Sequence, residues 1–347
     1  MTIRRKKGKI WRKNSEEEVR MADLSVTYMG IPLKNPIVVS SSSLTNTVEK
    51  IKRCEQAGAA AVVLKSLFEE QIEAQTEEIE EESWPYPHPE AFDYVRQMGM
   101  RLGQDEYLKL IVDAKKAVDI PVIASLNCIS PKWWNNYARE IASAGADAIE
   151  LNIAILPTDI EHTGEEIEKT YVRIVEGIHR KVELPIAAKI GPYFTSLPRL
   201  TRELRNAGAA ALVLFNRFYQ LDINIEKMEL TPGYHLSSPD EIYVPLRWVA
   251  ILSTQVGCEL AASTGIHDGK AVIKQLLAGA RIVQVCSSLY QKGMGRIKQM
   301  RDELAAWMDA HEYKTIEEFR GKMAMEVSEK PEYYERLQYI KVFVGLE

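Results

Sequence analysis

Eight short apolar runs recur along the chain, and polar residues follow each of them. The runs lie at 36–42, 60–66, 121–127, 147–153, 185–191, 210–216, 258–264 and 281–287. Nearly continuous apolar runs of this length are typical of strands buried on both faces of a parallel sheet. The intervening stretches have helical periodicity at 48–56, 106–117, 132–144, 165–182, 197–207, 242–254 and 269–277. The pattern therefore predicts alternating strands and helices.

The tripeptide Ala-Gly-Ala marks four of the predicted helix-to-strand junctions, at 57–59, 144–146, 207–209 and 278–280. Glycine commonly ends a helix because it adopts the left-handed conformation without strain. Repeated strand–helix units of this kind predict an α/β fold, the TIM (β/α)8 barrel. Such a barrel needs about 250 residues, and the chain has 347. Its ligands bind where the strands end.

The remaining segments suggest one domain with additions. We expect residues 1–20 to form a disordered basic tail and residues 21–347 to form the barrel. Long gaps at 67–103 and 217–240 follow strand ends, so we expect these insertions to lie over the active face. Residues 23–32 alternate like a small hairpin, and a C-terminal helical extension follows Leu289.

Composition excludes several classes of protein. The formal net charge of −5 argues against a general nucleic-acid binder, and no apolar run reaches the roughly 18 residues that a membrane span needs. The start of the sequence lacks the apolar segment of a secretory leader. Four cysteines without CxxC spacing and six scattered histidines suggest no metal site. We therefore expect a reduced, cytoplasmic protein that acts on a small molecule.

Polar side chains stand at the C-terminal ends of the predicted strands. A core built for packing alone would not need polar side chains at these positions. Those after the first six strands include Ser40, Ser41, Lys65, Ser66, Asn127, Asn152, Lys189 and Asn216. A lysine is expensive to bury without a partner. After the last two strands stand Thr264–Gly265 and Cys286–Ser287, where barrels commonly hold a phosphate. The ligand is expected to combine a phosphate with a large polar ring.

Several segments, in order along residues 24–289, carry a resemblance to a known family. They read NPIVVSSS from Asn35, VVLKS from Val62, IASLNC from Ile123, GADAIELNI from Gly145, TGIHDG from Thr264 and GARIVQVCSSL from Gly279. All of them except IASLNC resemble the dihydroorotate dehydrogenase family in its class 1 form. Members of that family are FMN-dependent flavoprotein oxidoreductases of pyrimidine biosynthesis with a barrel fold. The flavin domain of dihydropyrimidine dehydrogenases is also similar, and IASLNC resembles a segment of it.

The resemblance implies an FMN cofactor and a role for most strand-end residues. The residues implied to contact FMN are Ser40, Ser41, Lys65, Ser66, Asn127, Asn152, Lys189, Thr264, Gly265, Cys286 and Ser287. Lys65, Asn152 and Asn216 are implied to act in catalysis, with Lys65 near the flavin ring and the two asparagines facing the substrate. The resemblance also implies a homodimer, but it does not identify the electron acceptor.

One departure from the family pattern concerns the general base. The family follows Glu-Leu-Asn with a loop that carries a cysteine or serine base, and this chain has Ile155 there. Isoleucine cannot accept a proton, so a base would come from Asp159, His162 or Cys128. We expect weak oxidation of dihydroorotate and action on the CH–CH bond of another dihydropyrimidine-like substrate.

Two alternatives remain open from the sequence. An FMN-binding partner subunit without its own turnover would explain Ile155 directly. A lyase that forms a Schiff base is the other, because Lys65 or Lys189 at a barrel mouth suits capture of a carbonyl group. The serines and the Thr264–Gly265 pair do not distinguish these alternatives, since either ligand can carry phosphate.

Overall fold

The computed structural model describes residues 22–70, 103–130, 134–217, 220–233, 235–329 and 331–334, with residues 340 and 344. The predicted tail at 1–20 and most of the predicted insertion at 67–103 lie outside the described residues. The prediction of a single domain over 21–347 stays a prediction.

Eight parallel strands close into a barrel, which confirms the predicted fold class. The strands of the chain are β1 Val26–Tyr28, β2 Ile31–Leu33, β3 Ile37–Val39, β4 Ala61–Val63, β5 Leu67–Phe68, β6 Val122–Cys128, β7 Ala148–Ile153, β8 Ile186–Ile190, β9 Ala211–Leu214, β10 Gln220–Asn224, β11 Glu229–Gly233, β12 Glu259–Ser263 and β13 Ile282–Val285. Around the barrel the order is β3, β4, β6, β7, β8, β9, β12 and β13, and β13 pairs with β3. Each barrel strand falls within one of the eight apolar runs, apart from the last residue of β6.

Helices alternate with these strands and cover the outside of the barrel. They are α1 Val48–Gln56, α2 Gln104–Ala117, α3 Trp134–Ser143, α4 Gly164–His179, α5 Leu197–Asn206, α6 Tyr243–Leu252, α7 Gly269–Ala278, α8 Ser287–Lys292 and α9 Gly295–Ala310. Side-chain oxygens of Thr47, Thr163 and Asp268 accept from backbone amides and cap α1, α4 and α7. These caps explain why the first turns begin where the sequence pattern begins.

A two-residue turn closes the N-terminal hairpin of β1 and β2. Met29 and Gly30 both have positive φ, 53° and 77°, as a tight hairpin turn requires. The Met29 amide donates to the carboxylate of Glu259 at the start of β12. The hairpin therefore lies at the N-terminal end of the barrel, opposite the strand ends that carry the polar residues.

The segment at 217–240 contains a second hairpin, formed by antiparallel β10 and β11. It follows β9 and precedes a short 3-10 helix at Pro239–Ile242. On the other side of the barrel, α9 leads into a C-terminal segment that buries Phe319 and pairs Thr315 with Asp23. This segment packs the end of the described chain beside its beginning.

Candidate active site

A buried ion pair lies inside the barrel below the strand ends. Lys189 Nζ donates to Ser40 Oγ at 3.1 Å and to Gln284 Oε1 at 3.4 Å, and Glu150 Oε1 lies 3.7 Å away. The Gln284 amide also donates to the other oxygen of Glu150. Lys189 is 7% exposed and Glu150 only 1%. The ammonium group is thus held inside the protein by an opposite charge and two acceptors.

The strand register aligns three of the predicted residues in one layer. Asn127 on β6 is in register with Asn152 on β7, and Asn152 is in register with Lys189 on β8. The Nδ2 group of Asn216, just after β9, donates to Asn152 Oδ1 at 2.8 Å. The sequence prediction that these four residues share the mouth of the barrel agrees with this arrangement. Their roles toward a ligand stay predictions.

A chain of serine hydroxyls joins three strand ends. Ser41 and Ser66 share a hydrogen bond of 3.0 Å, and Ser66 shares another of 2.8 Å with Ser125. Buried Tyr107 fixes Ser125, because its hydroxyl donates to the Ser125 carbonyl and accepts from the Ser125 amide. Lys65, which precedes Ser66, is partly exposed. The serine chain orients the strand end that carries this lysine.

The predicted phosphate end consists of one bend with positive φ and the start of a short helix. Thr264 and Gly265 have φ of 78° and 75°, and Thr264 Oγ1 donates to the Phe215 carbonyl at 3.2 Å. Cys286 precedes α8, whose first amides have no partner within the helix. Burial raises the pKa of the Cys286 thiol, against the opposing effects of Ser42 and Lys189. This thiol is therefore kept protonated at neutral pH.

A loop residue that the sequence did not single out completes this end. The Ser237 amide donates to Ser287 Oγ at 3.0 Å, and the Ser237 hydroxyl contacts His267 Nε2 at 3.2 Å. Ser288 Oγ is buried, with no hydrogen-bond partner among the described residues. No periodicity marks Ser237, since it lies within the insertion at 217–240. Gln284 and Glu150 are detectable in the sequence as polar residues within largely apolar runs, although nothing in that pattern indicates their role.

The three candidate bases have different surroundings. Cys128 is fully buried, and its pKa is raised well above the usual range by burial and then by Glu69. Asp159 and His162 lie 3.6 Å apart on an exposed loop. Ile155 is partly buried, and its amide donates to Tyr171. The structure does not bring Cys128 together with the loop pair, and the identity of the base stays open.

The described residues bear on two expected classes of feature, a membrane span and a metal site. Within the described ranges, no helix has both the length and the apolar character to cross a bilayer. In the same part of the chain, no group of three or more histidine, cysteine, aspartate or glutamate side chains could hold a metal ion. The four cysteines are free thiols.

Comparison with known proteins shows the family. The family model "Dihydroorotate dehydrogenase" matches residues 23–308. Proteins named dihydroorotate dehydrogenase B (NAD(+)), catalytic subunit, are similar over nearly their whole length. The one from Thermoplasma volcanium is 28% identical over 309 residues, 87% of this chain and 98% of its own. Those from Pyrococcus abyssi and Methanopyrus kandleri are 25% and 27% identical, over 86% and 90% of this chain and 98% and 97% of their own.

The match covers the whole barrel, including every strand end described above. It agrees with the resemblance that the strand-end motifs indicated. The chain belongs to the dihydroorotate dehydrogenase family and is a flavin-dependent oxidoreductase.

Proposed function

We propose that this chain is an FMN-dependent oxidoreductase that acts on a CH–CH bond of a dihydropyrimidine-like substrate. The observation that carries the proposal is Lys189, a buried ammonium group fixed by Ser40 and Gln284 beside the Asn127–Asn152 layer. A cation fixed at this point favours a ring that gains negative charge. The family match supports the oxidoreductase class over a Schiff-base lyase.

The donors at the barrel mouth fit FMN at both of its ends. Lysine and asparagine side chains suit the polar edge of a flavin ring, and the first amides of α8 suit a phosphate. Ser288 Oγ, which is buried without a partner among the described residues, supplies a further free donor beside Ser287. We propose that Ser40, Ser41, Lys65, Ser66, Asn127, Asn152 and Lys189 contact the ring, and that Thr264, Gly265, Cys286 and Ser287 hold the phosphate.

When held by these residues, FMN would supply hydride acceptance, and a base of this chain would take up the proton that the substrate loses with it. Asn152 and Asn216 would hold the substrate, and Lys65 would lie near the reacting ring. Asp159, His162 and Cys128 stay the candidate bases. With Ile155 at the family's base position, we propose that dihydroorotate is a poor substrate.

The names of the relatives suggest where the electrons taken from the substrate go next. They are called catalytic subunits, and NAD(+) stands in their names. We propose that this chain is also a catalytic subunit and that it passes its electrons to an acceptor on another protein chain. A cytoplasmic location also stays a prediction.

An absorption spectrum of the purified protein tests the cofactor, with chromatography of the released compound. Flavin bands and released FMN are expected; a colourless protein that does not bind added FMN would contradict the proposal. Anaerobic mixing with dihydrouracil, dihydrothymine and dihydroorotate then tests the substrate by bleaching of the bands. A flavin that no substrate reduces, and that dyes do not reoxidise after photoreduction, would favour the non-catalytic partner subunit. Borohydride trapping of a carbonyl compound on a lysine would favour the lyase.

We also propose a homodimer, with the β10–β11 hairpin at its interface. Ile223 lies directly opposite Leu230, and Leu221 lies on the same face. These side chains are 55%, 68% and 70% exposed, and the exposed Ile225 and Met228 adjoin them near the turn. A standard interface takes roughly 800 Å² from each partner, and these five side chains would supply part of that area. A second copy would cover the same face symmetrically.

A further inference from the structure

Glu150 lies one layer below the predicted flavin-contacting residues. Its Cα is in register with Ser125 on β6 and Ala187 on β8, whereas Lys189 is in register with Asn152. Its carboxylate is therefore directed into the barrel interior beneath the mouth. The sequence motif that contains Glu150 gives this residue no direct role toward the cofactor. Lys189 would separate the Glu150 carboxylate from the flavin ring.

The carboxylate and the ammonium group form a charge pair that water does not screen. The side chains of Glu150 and Lys189 are 1% and 8% exposed. Gln284 links them, since its amide donates to Glu150 and its carbonyl oxygen accepts from Lys189. This link fixes the orientation of the Gln284 amide and keeps Lys189 Nζ close to Ser40. The pair carries no net charge.

The Tyr28 hydroxyl is a second buried polar group that interacts electrostatically with the carboxylate. Glu150 Oε1 and the Tyr28 hydroxyl are both buried, and neither has a hydrogen-bond partner in the part of the chain that the structure describes. Burial raises the pKa of Tyr28 well above its usual range, and Glu150 is the next cause. Tyr28 comes from the hairpin at the N-terminal end of the barrel. Glu150 thus acts electrostatically on Tyr28 of the hairpin as well as on Lys189.

We propose that Glu150 is a positioning residue that holds Lys189 and balances its charge, and that it thereby tunes the reduction potential of the bound flavin. The inference rests on the proposed function, because it requires FMN at the mouth. Reduction adds negative charge to the ring, and a nearby cation favours it. A carboxylate behind that cation weakens the effect, since charges interact strongly in a site that excludes water.

Three variants test the inference by the midpoint potential of the bound flavin, measured by equilibration with a reference dye. Glu150→Gln removes the negative charge at nearly constant shape, and we expect the potential to rise. Glu150→Asp keeps the charge but withdraws it by one methylene; we expect a nearly unchanged potential and several-fold weaker FMN binding. Glu69→Gln is the matched control. Glu69 is 2% exposed and binds Ile129, Ser130 and Trp134, so its variant should keep the wild-type potential.

The outcomes separate this inference from the proposed function. A Glu150→Gln protein that keeps its flavin and has an unchanged or lower potential would overturn the role of Glu150. If that variant does not fold, the Asp variant decides, because a raised potential with the charge retained would also overturn it. Failure of the wild-type protein to bind FMN would instead contradict the proposed function.

Discussion

Asn216 Nδ2 donates to Asn152 Oδ1 over 2.8 Å, and this bond joins the ends of β9 and β7 across the intervening β8. Both residues lie at the mouth of the barrel, and both are partly buried. The bond leaves the second amide hydrogen of Asn216 and the whole amide nitrogen of Asn152 available to a ligand. Two strand ends are thus fixed while their donors remain free.

Asn216→Leu should destabilise the protein modestly. The substitution leaves Asn152 Oδ1 without its donor. Loss of a hydrogen bond to a partly buried acceptor lowers the free energy of unfolding by about 1 kcal/mol. Urea unfolding of the cofactor-free protein measures the change. Asn206→Leu at the exposed end of α5 is the control, and we expect less than about 0.5 kcal/mol from it. An equal loss in both variants would show that the Asn152–Asn216 bond adds nothing.

Gly265→Ala should be much more damaging than Gly293→Ala, although both glycines have positive φ, 75° and 78°. A Cβ on Gly265 would lie only 2.6 Å from Ile242 Cα, whereas a Cβ on Gly293 would meet nothing within 4 Å. Left-handed strain costs either alanine about 1–2 kcal/mol. Displacement of the backbone at Ile242 should add about 1–3 kcal/mol.

The measurement for this pair is the free energy of unfolding, together with FMN affinity. We expect Gly265→Ala to weaken FMN binding and Gly293→Ala to leave it near wild type. Equal effects of the two alanines on stability would mean that the close approach to Ile242 is relieved without cost.

The barrel was predictable because its information is local. Each apolar run was long enough to identify a strand, and the residues at the C-terminal ends of β3, β6, β7 and β8 come together because parallel strands end at the same edge. The sequence predicted that Ser40 and Lys189, 149 residues apart, both stand at that edge, and the structure adds the hydrogen bond between them.

The parts that sequence reasoning missed depend on contacts between distant segments. Gln284 is one polar residue within an apolar strand, and its importance appears only when Glu150 and Lys189 are opposite it. Ser237 belongs to a loop whose course is set by Ser287 and His267. No spacing rule predicts such contacts, because they depend on how the insertion returns to the barrel.

Dihydroorotate should be oxidised slowly by the wild-type protein. A general base contributes about 10²–10⁴-fold to rate, and Ile155 supplies none. From a typical enzymatic rate of about 10 per second, we expect less than about 0.1 per second in an anaerobic assay with a dye acceptor. Ile155→Cys should raise the rate. Wild-type turnover near 10 per second would show that another residue serves as the base.

Acid should destabilise the protein partly through His267. Its pKa is lowered from 6.5 by burial and then by Lys292, against smaller opposing effects that begin with Asp268. The unfolded chain therefore binds more protons than the folded one as the pH falls below about 6.5. The contribution of His267 to the free energy of unfolding is fully present above that pH. It is lost as the pH falls toward the lowered pKa of the folded state.

Replacing this histidine with an uncharged residue tests its contribution. His267→Gln should flatten the pH dependence of the unfolding free energy between pH 7 and 5, and His179→Gln, at the exposed end of α4, should not. An unchanged slope in His267→Gln would show that protonation of this ring is not coupled to folding.

The β10–β11 hairpin should decide the oligomeric state. Its apolar face presents Leu221, Ile223 and Leu230, whereas Asp222 and Thr231 form a pair on the opposite face. The double variant Ile223→Glu/Leu230→Glu places two like charges per chain at the proposed interface, where they would be desolvated on association. We expect a mass near 79 kDa, about twice the 39.4 kDa of one chain, for the wild-type protein and near one chain for the variant. Light scattering during gel filtration measures this.

Asp222→Asn/Thr231→Ser on the polar face is the matched control and should stay dimeric. Flavin absorbance of the double Glu variant reports whether the barrel remains folded, because the variant replaces none of the strand-end residues that we propose to hold FMN. A wild-type protein of monomer mass would contradict the dimer. A double variant that remains dimeric would place the interface elsewhere, since two buried glutamates on each copy are incompatible with close apolar packing of this face.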